Sequence, residues 1–117
     1  MKSKELGSSG EKFAVRYLQK HQFLVHETGF RYNRGEIDII ASKNDTLIFI
    51  EVKTRRSHRY GRPEEYVTPE KQRQIRMVAG GYLIQKGLLY SSCRFDVLAL
   101  SYDSKKGFEV RHIVNAF

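Results

Sequence analysis

Two adjacent apolar segments, residues 36–42 and 46–54, constrain the fold of this chain more than any other feature of its sequence. The dipeptide Asn44-Asp45 between them is typical of a tight turn, so the segments are predicted to pair as antiparallel strands. Side chains alternate between the two faces of a strand. One face of this hairpin is therefore predicted to be wholly apolar core, formed by Ile37, Ile39, Ala41, Ile48, Ile50 and Val52.

The opposite face of the hairpin carries charged residues. If the strands fold about the turn, the numbers of cross-strand partners add up to 89, which places Asp38 opposite Glu51 and Glu36 opposite Lys53. All four side chains are then predicted to point the same way. A shift of one residue would destroy the separation of apolar and charged faces, so the pattern itself favours this register.

Two carboxylates placed opposite each other on a sheet repel, and stability alone does not select such a pair. A raised pKa, a neighbouring cation or a bound divalent metal would relieve the repulsion. One interpretation is a plain ionic cluster in which Lys53 neutralises the acids. The other is a magnesium site, since Mg²⁺ is commonly bound by one or two carboxylates together with substrate phosphate. A lysine beside such an ion can orient the attacking water and neutralise charge on phosphorus.

The charge of the whole chain favours a polyanionic partner. Lys and Arg number 21 against 13 Asp and Glu, which gives a net charge of +8, and cationic patches release counterions when they bind phosphates. Much of the excess lies in residues 54–63, where Tyr60 offers a stacking surface among the arginines. A solubilising surface is the alternative. The predicted nucleic-acid contacts are Arg34, Arg55, Arg56, Arg59, Arg62 and Tyr60.

The remaining patterns predict one mixed α/β domain spanning residues 1–117, with the order α-β-β-β-α-β-β. Ser8 and Glu11 have the spacing of a capping box, which predicts a first helix from Ser8 to about His21. Thr68-Pro69 predicts the start of a second helix that runs to about Lys86. Further strands are predicted at 23–30, 94–101 and 108–114. Gly80-Gly81 inside the second helix indicates that another group packs very closely there.

Two motifs carry a resemblance to known families. Gly35-Glu36-Ile37-Asp38 followed by Glu51-Val52-Lys53 resembles the PD-(D/E)xK motif of restriction-endonuclease-like nucleases. Over nearly its whole length the chain also resembles the bacterial YraN family of small endonuclease-like proteins. The matching segments include Gly10-Glu11, Glu51-Val52-Lys53-Thr54-Arg55, Lys71-Gln72, Arg94-Phe95-Asp96-Val97 and Asn115-Ala116-Phe117.

This resemblance implies a restriction-endonuclease-like fold, with a mixed central sheet flanked by helices. It implies Asp38 and Glu51 as ligands of Mg²⁺ or Mn²⁺ and Lys53 as the catalytic lysine. It further implies Glu11 as an additional acidic ligand, for which the capping-box role is the alternative. Gln72 corresponds to a position that often supports the site, and a solvent-facing glutamine is the alternative. Ile37 departs from the motif, which has proline there.

The expected function is therefore metal-dependent hydrolysis of phosphodiester bonds in DNA, with branched or damaged DNA among the expected substrates and a homodimer favoured if junctions are cut. The alternative is a non-catalytic nucleic-acid-binding module that keeps the same fold. The chain begins with a charged amphipathic stretch and contains no long apolar run, so a cytoplasmic location without membrane attachment is expected.

Overall fold

A computed structural model describes residues 1–56, 67–88 and 92–117. Within these ranges, two helices and five strands follow in the predicted order α-β-β-β-α-β-β, which is confirmed. The elements are α1 Ser3–Lys20, β1 Leu24–Tyr32, β2 Gly35–Lys43, β3 Thr46–Arg55, α2 Pro69–Lys86, β4 Ser92–Asp103 and β5 Gly107–Ile113.

The five strands form one mixed sheet in the order β1-β2-β3-β4-β5. Strands β3 and β4 are parallel and the other three neighbouring pairs are antiparallel. A parallel pair needs a crossover connection, and the connection between β3 and β4 contains α2. Within the described ranges, neither helix is long and apolar enough to cross a membrane.

Helix α1 begins earlier than the sequence predicted. It starts at Ser3, so Ser8 lies inside the helix, and the residue at its N-cap makes no side-chain capping bond. The capping-box prediction for Ser8 and Glu11 is therefore wrong. The physical reason is burial at intervals of four residues, because this spacing places Leu6, Gly10, Ala14 and Leu18 on one face of the helix. Packing of that face outweighs the low helix propensity of the glycines and serines.

Helix α2 matches its prediction at both ends. Thr68 is the N-cap, and its side chain accepts a hydrogen bond from the Lys71 N–H at 3.2 Å. Pro69 occupies the first helical position, where its missing N–H costs no hydrogen bond. Gly87 ends the helix with a left-handed backbone (φ 67°).

The helices cover opposite faces of the sheet, so there are two cores. The core beneath α2 includes Ile37, Ile40, Phe49, Ile75, Val78, Tyr82 and Val97. The core beneath α1 includes Ala14, Leu18, Ile39, Ile48, Ile50, Leu98 and Leu100.

Strand β2 changes faces between Ile37 and Ile39, and this corrects the prediction that the two share one apolar face. Ile37 belongs to the core beneath α2 and Ile39 to the core beneath α1. The partner strand does the same, since Phe30 packs beneath α2 while Thr28 lines a groove beside α1. Gly29 lies between them with φ +64°, a backbone conformation that glycine adopts without steric cost. This glycine allows both strands to turn over at the same level.

Close packing at a glycine pair is confirmed for one member only. A Cβ on Gly81 would lie 2.5 Å from the ring of Tyr32, so the helix rests directly on that side chain. A Cβ on Gly80 would have nothing within 4 Å. At the other helix, a Cβ on Gly10 would lie 2.4 Å from the Thr54 hydroxyl oxygen, so α1 lies against β3 at this point.

Candidate active site between diverging strands

The predicted register of the central hairpin is confirmed from its turn to Ile39–Ile50, where partner numbers add up to 89. Beyond that pair the prediction is wrong, since neither Asp38–Glu51 nor Glu36–Lys53 belongs to the ladder of paired residues. The Asp38 carboxylate instead accepts a hydrogen bond from the Val52 N–H at 2.8 Å. The face change in β2 explains this difference. It reorients the backbone at Asp38, so the side chain of Asp38, in place of its backbone, accepts the hydrogen bond from β3.

The carboxyl groups of Asp38 and Glu51 nevertheless meet. They are joined by a side-chain hydrogen bond, which requires that one of them carries a proton. Glu51 is only 5% exposed. Burial, the hydrogen bond to Asp38 and the Asp38 charge raise the pKa of Glu51 from its ordinary value of 4.5 to about 8. The pair therefore holds a proton at neutral pH.

Two lysines act on this carboxyl pair. Lys71, in the first turn of α2, places its Nζ 3.5 Å from Glu51 Oε2. The charges of Lys71 and Lys53 both oppose the rise in the Glu51 pKa, and Lys71 has the larger effect. Sequence reasoning assigned a role to Lys53 and missed Lys71. The Thr68 cap located Lys71 at the start of a helix, but no sequence signal indicated which strand residue this turn faces.

Glu11 and Glu36 approach the pair from the side of α1. The pKa of Glu11 is raised by burial and, to a smaller extent, by the charges of Asp38 and Glu36. Glu36 forms an ion pair with Arg31, with 3.5 Å between Nη2 and Oε2. Among the residues that the structure describes, no group of three or more His, Cys, Asp or Glu side chains could hold a metal ion. Asp38 and Glu51 thus form the centre, and Glu11 lies close enough to act on it through its charge.

The other predicted residues lie around this centre or outside the described ranges. Gln72 does not face open solvent, which was the alternative to a supporting role. It is half-buried, and its Nε2 donates to the Val67 carbonyl at 3.0 Å. Arg34 is exposed in the turn before β2. The last strand residue and the one after it, Arg55 and Arg56, donate to the carbonyls of Thr54 and Met1. Arg59, Tyr60 and Arg62 lie outside the described residues.

An open groove of about 510 Å³ runs beside α1, next to the acidic centre. Glu11 lines it together with Lys4, Ser8 and Lys12. Both lysines are exposed. The groove therefore adds cationic groups to the approach of the carboxyl pair.

Comparison with known proteins places the chain in a family. The Uncharacterised protein family UPF0102 matches residues 10–100. The chain belongs to this family. A UPF0102 protein of Geobacter sulfurreducens is 44% identical over 115 residues, which cover 98% of this chain and 90% of the relative. One from Chlorobium phaeobacteroides is 44% identical over 117 residues (96% and 92%), and one from Dictyoglomus turgidum is 42% identical over 118 residues (100% of both).

The donor set of this UPF0102 chain fits a hard divalent cation. Two carboxyl groups supply only oxygen atoms, which Mg²⁺ prefers, and two protein carboxylates are the usual number for Mg²⁺ that also binds substrate phosphate. Without such a cation, burial and the neighbouring Asp38 raise the pKa of Glu51 to about 8, so the pair retains a proton at neutral pH. A divalent cation would replace that proton, with Asp38 and Glu51 as the residues that hold it.

Proposed function

We propose that this UPF0102 protein is a metal-dependent nuclease that hydrolyses phosphodiester bonds in DNA, with Asp38, Glu51 and Lys53 as its site. The proposal extends to a restriction-endonuclease-like fold, to membership of the PD-(D/E)xK nucleases and to the YraN family. Support for these comes from the motif and from the mixed sheet with one helix on each face. Mg²⁺ or Mn²⁺ would supply Lewis acidity at the scissile phosphate.

The observation that carries the proposal is the buried carboxyl pair. A pair of acids that share a proton is unfavourable for stability, yet the fold brings Asp38 and Glu51 together from two strands. Perturbed carboxyl groups of this kind are concentrated at functional sites. The lysines beside the pair separate this arrangement from a purely acidic cluster, because they supply positive charge where a phosphate would bind.

The chain's own residues then have distinct tasks. Asp38 and Glu51 bind the cation and must lose their shared proton to do so. Lys53 neutralises the charge that develops on the phosphate oxygens. Arg34, Arg55 and Arg56 bind the DNA backbone, since the start of β2 and the end of β3 lie at the same end of the antiparallel hairpin.

Cleavage of supercoiled plasmid and of branched DNA with Mg²⁺ or Mn²⁺ tests the proposal. We expect Asp38→Asn, Glu51→Gln and Lys53→Met each to lower the cleavage rate by about a hundredfold or more. The matched control is Glu5→Gln, which makes the same change on an exposed carboxylate of α1 and should cleave at the parental rate. Parental cleavage by all three site variants would refute the proposed site.

A calorimetric titration of Mn²⁺ in two buffers with different ionisation enthalpies gives a second readout. At pH 7 we expect binding to release about one proton, because the shared proton must leave. Asp38→Asn should abolish both the binding and the proton release, whereas Glu5→Gln should retain them.

A non-catalytic nucleic-acid-binding module is the second candidate. It is favoured by the observation that, in the described part of the chain, no three His, Cys, Asp or Glu side chains are arranged to hold a metal ion. This candidate predicts DNA binding that weakens with salt, survives Asp38→Asn and is accompanied by no metal-dependent cleavage.

A further inference from the structure

A second cleft lies at the opposite end of the sheet from the acidic centre. It is open, has a volume of about 390 Å³, and is lined by residues from the end of α1, the β2–β3 turn and strands β4 and β5. Thr46, the first residue of β3, lines this cleft, whereas Glu51 lies five residues further along the same strand. At about 3.3 Å per residue, roughly 17 Å separate the two sites.

The polar groups that line this cleft can all donate hydrogen bonds. Two cationic side chains, Lys43 and Arg94, reach it from different strands, and two histidines, His21 and His112, lie beside them. Tyr17 and Thr46 supply hydroxyl groups. Among the described residues that line the cleft, none carries a carboxylate. Cationic and donor side chains that converge with no carboxylate among the lining residues suit an anion, and the carboxylate of Asp96 lies behind them without exposed surface.

A buried carboxylate holds two of these donors in place. Asp96 is 0% exposed. It binds Arg94 through both Nε and Nη2, at 3.1 and 3.2 Å, and accepts from His112 Nε2 at 2.8 Å. The His112 ring is linked on to the Tyr17 hydroxyl at 3.3 Å. The Arg94 side chain remains 27% exposed, so the cleft presents a cation whose orientation is fixed before any ligand binds.

The carbonyl end of α1 borders the cleft and would by itself repel an anion. Its exposed carbonyl groups, however, already accept hydrogen bonds from the protein. His21 Nδ1 donates to the Tyr17 carbonyl at 2.8 Å, and Lys43 Nζ donates to the His21 carbonyl at 2.9 Å. The Lys43 ammonium group also lies 4.7 Å from the centre of the Phe23 ring. The positive charge of this lysine therefore lies over the helix end.

Aromatic rings make the cleft suited to more than a bare anion. The rings of Tyr17 and His21 are 4.4 Å apart and inclined by 35°. A planar base can stack on such rings, and stacking contributes about 1–3 kcal/mol per base. Cations beside a stacking surface fit a phosphate that is attached to a base.

We propose that this cleft is a nucleotide phosphate-binding site, in which Lys43 and Arg94 bind the phosphate and the Tyr17–His21 rings face the attached base. The phosphate can belong to a nucleic-acid strand or to a free nucleotide. Binding here is independent of hydrolysis at the acidic centre.

Titrations followed by NMR of the ¹⁵N-labelled full chain test the site. The probes are inorganic phosphate, thymidine 5′-monophosphate, thymidine and a short thymidine single strand. We expect the three probes that carry phosphate to shift the ring signals of His21 and the side-chain Nε–H signal of Arg94, and thymidine alone to leave the Arg94 signal unchanged. Tighter binding of the strand than of the mononucleotide assigns the site to nucleic acid, and equal affinity assigns it to free nucleotides.

Matched variants isolate the charge. Lys43→Met keeps an unbranched apolar side chain over Phe23 and removes the ammonium group, so we expect affinity for the mononucleotide to fall about tenfold. Lys20→Met makes the same change on an exposed lysine that does not line the cleft, and should change affinity less than about twofold. Asp38→Asn should keep the shifts, which separates this site from the proposed nuclease. Equal affinity in Lys43→Met and Lys20→Met, or no shift with any phosphate, would overturn the proposal.

Discussion

Two carboxyl groups are buried in the part of the protein that the structure describes, and their surroundings are opposite in character. Asp96 has no exposed surface, and three groups donate hydrogen bonds to it, namely Arg94, His112 and the backbone N–H of Asn115. Burial alone would raise the pKa of Asp96, but these hydrogen bonds and the Arg94 charge together lower it. Asp96 is therefore an ionised group whose charge is balanced within the chain.

Glu51 is almost as deeply buried, but one of the polar groups bonded to it is another acid, Asp38. Burial and the bond to Asp38 outweigh the opposing charges of Lys71 and Lys53, so the pKa of Glu51 is raised to about 8. The contrast shows that this fold can satisfy a buried carboxylate and does so at Asp96. Where it does not, an external cation would complete the charge balance, which is the physical basis of the proposed metal site.

Removing the charge of Asp96 should have the largest effect, a loss of stability. Asp96→Asn leaves Arg94 and His112 without their anion, and we expect the free energy of unfolding at pH 7 to fall by about 3 kcal/mol. The lowered pKa means that the stabilisation by Asp96 is present above the ordinary value of 3.8 and is lost as pH falls. Urea unfolding should therefore show the difference between variant and parent shrinking towards acid pH. A loss below about 1 kcal/mol at pH 7 would contradict this account.

Removing the charge of Glu51 should raise the free energy of unfolding, in contrast to the loss expected for Asp96→Asn. Because the folded pKa of Glu51 lies near 8, above the ordinary 4.5, the parent loses stability as pH rises from about 4.5 through 8. Glu51→Gln does not titrate, so without added metal it should gain about 2 kcal/mol relative to the parent as the pH rises from about 6 to about 7.5. Urea unfolding across this range measures the gain. Parallel pH profiles for parent and variant would show that Glu51 is not protonated in the folded state.

The smallest effect is expected at Lys71, whose place beside Glu51 the sequence did not reveal. Lys71→Met removes the larger of the two charges that lower the Glu51 pKa, so that pKa should rise by about one further unit. A carbon-detected NMR titration of the Glu51 carboxyl group measures it. Lys86→Met is the matched control, since Lys86 lies at the other end of α2 and pairs with Glu27. The same Glu51 pKa in both variants would remove Lys71 from the site.

Local signals predicted most of the fold. The turn at Asn44-Asp45 fixed the register of β2 and β3 near the turn, and Thr68-Pro69 fixed the start of α2. The early start of α1 was missed because it depends on Leu6 reaching a core that only the assembled sheet provides.

The candidate site was predicted in its composition and not in its geometry. Asp38 and Glu51 do meet, but through a hydrogen bond between their carboxyl groups and not through backbone pairing of the two strands. Strict alternation of side chains could not foresee that Gly29 and the segment beside it reverse the faces of two strands. Lys71 enters through the packing of α2, which is a long-range property that no spacing in the sequence encodes.

The face change also determines how little freedom the site has. Ile37 and Ile39 are each fully buried, and they anchor opposite sides of β2 in separate cores. The backbone of Asp38, held between these two anchors, cannot move away from Glu51 without pulling one isoleucine out of its core. A single residue inserted or deleted between positions 37 and 39 would therefore disrupt a core and the acidic centre together.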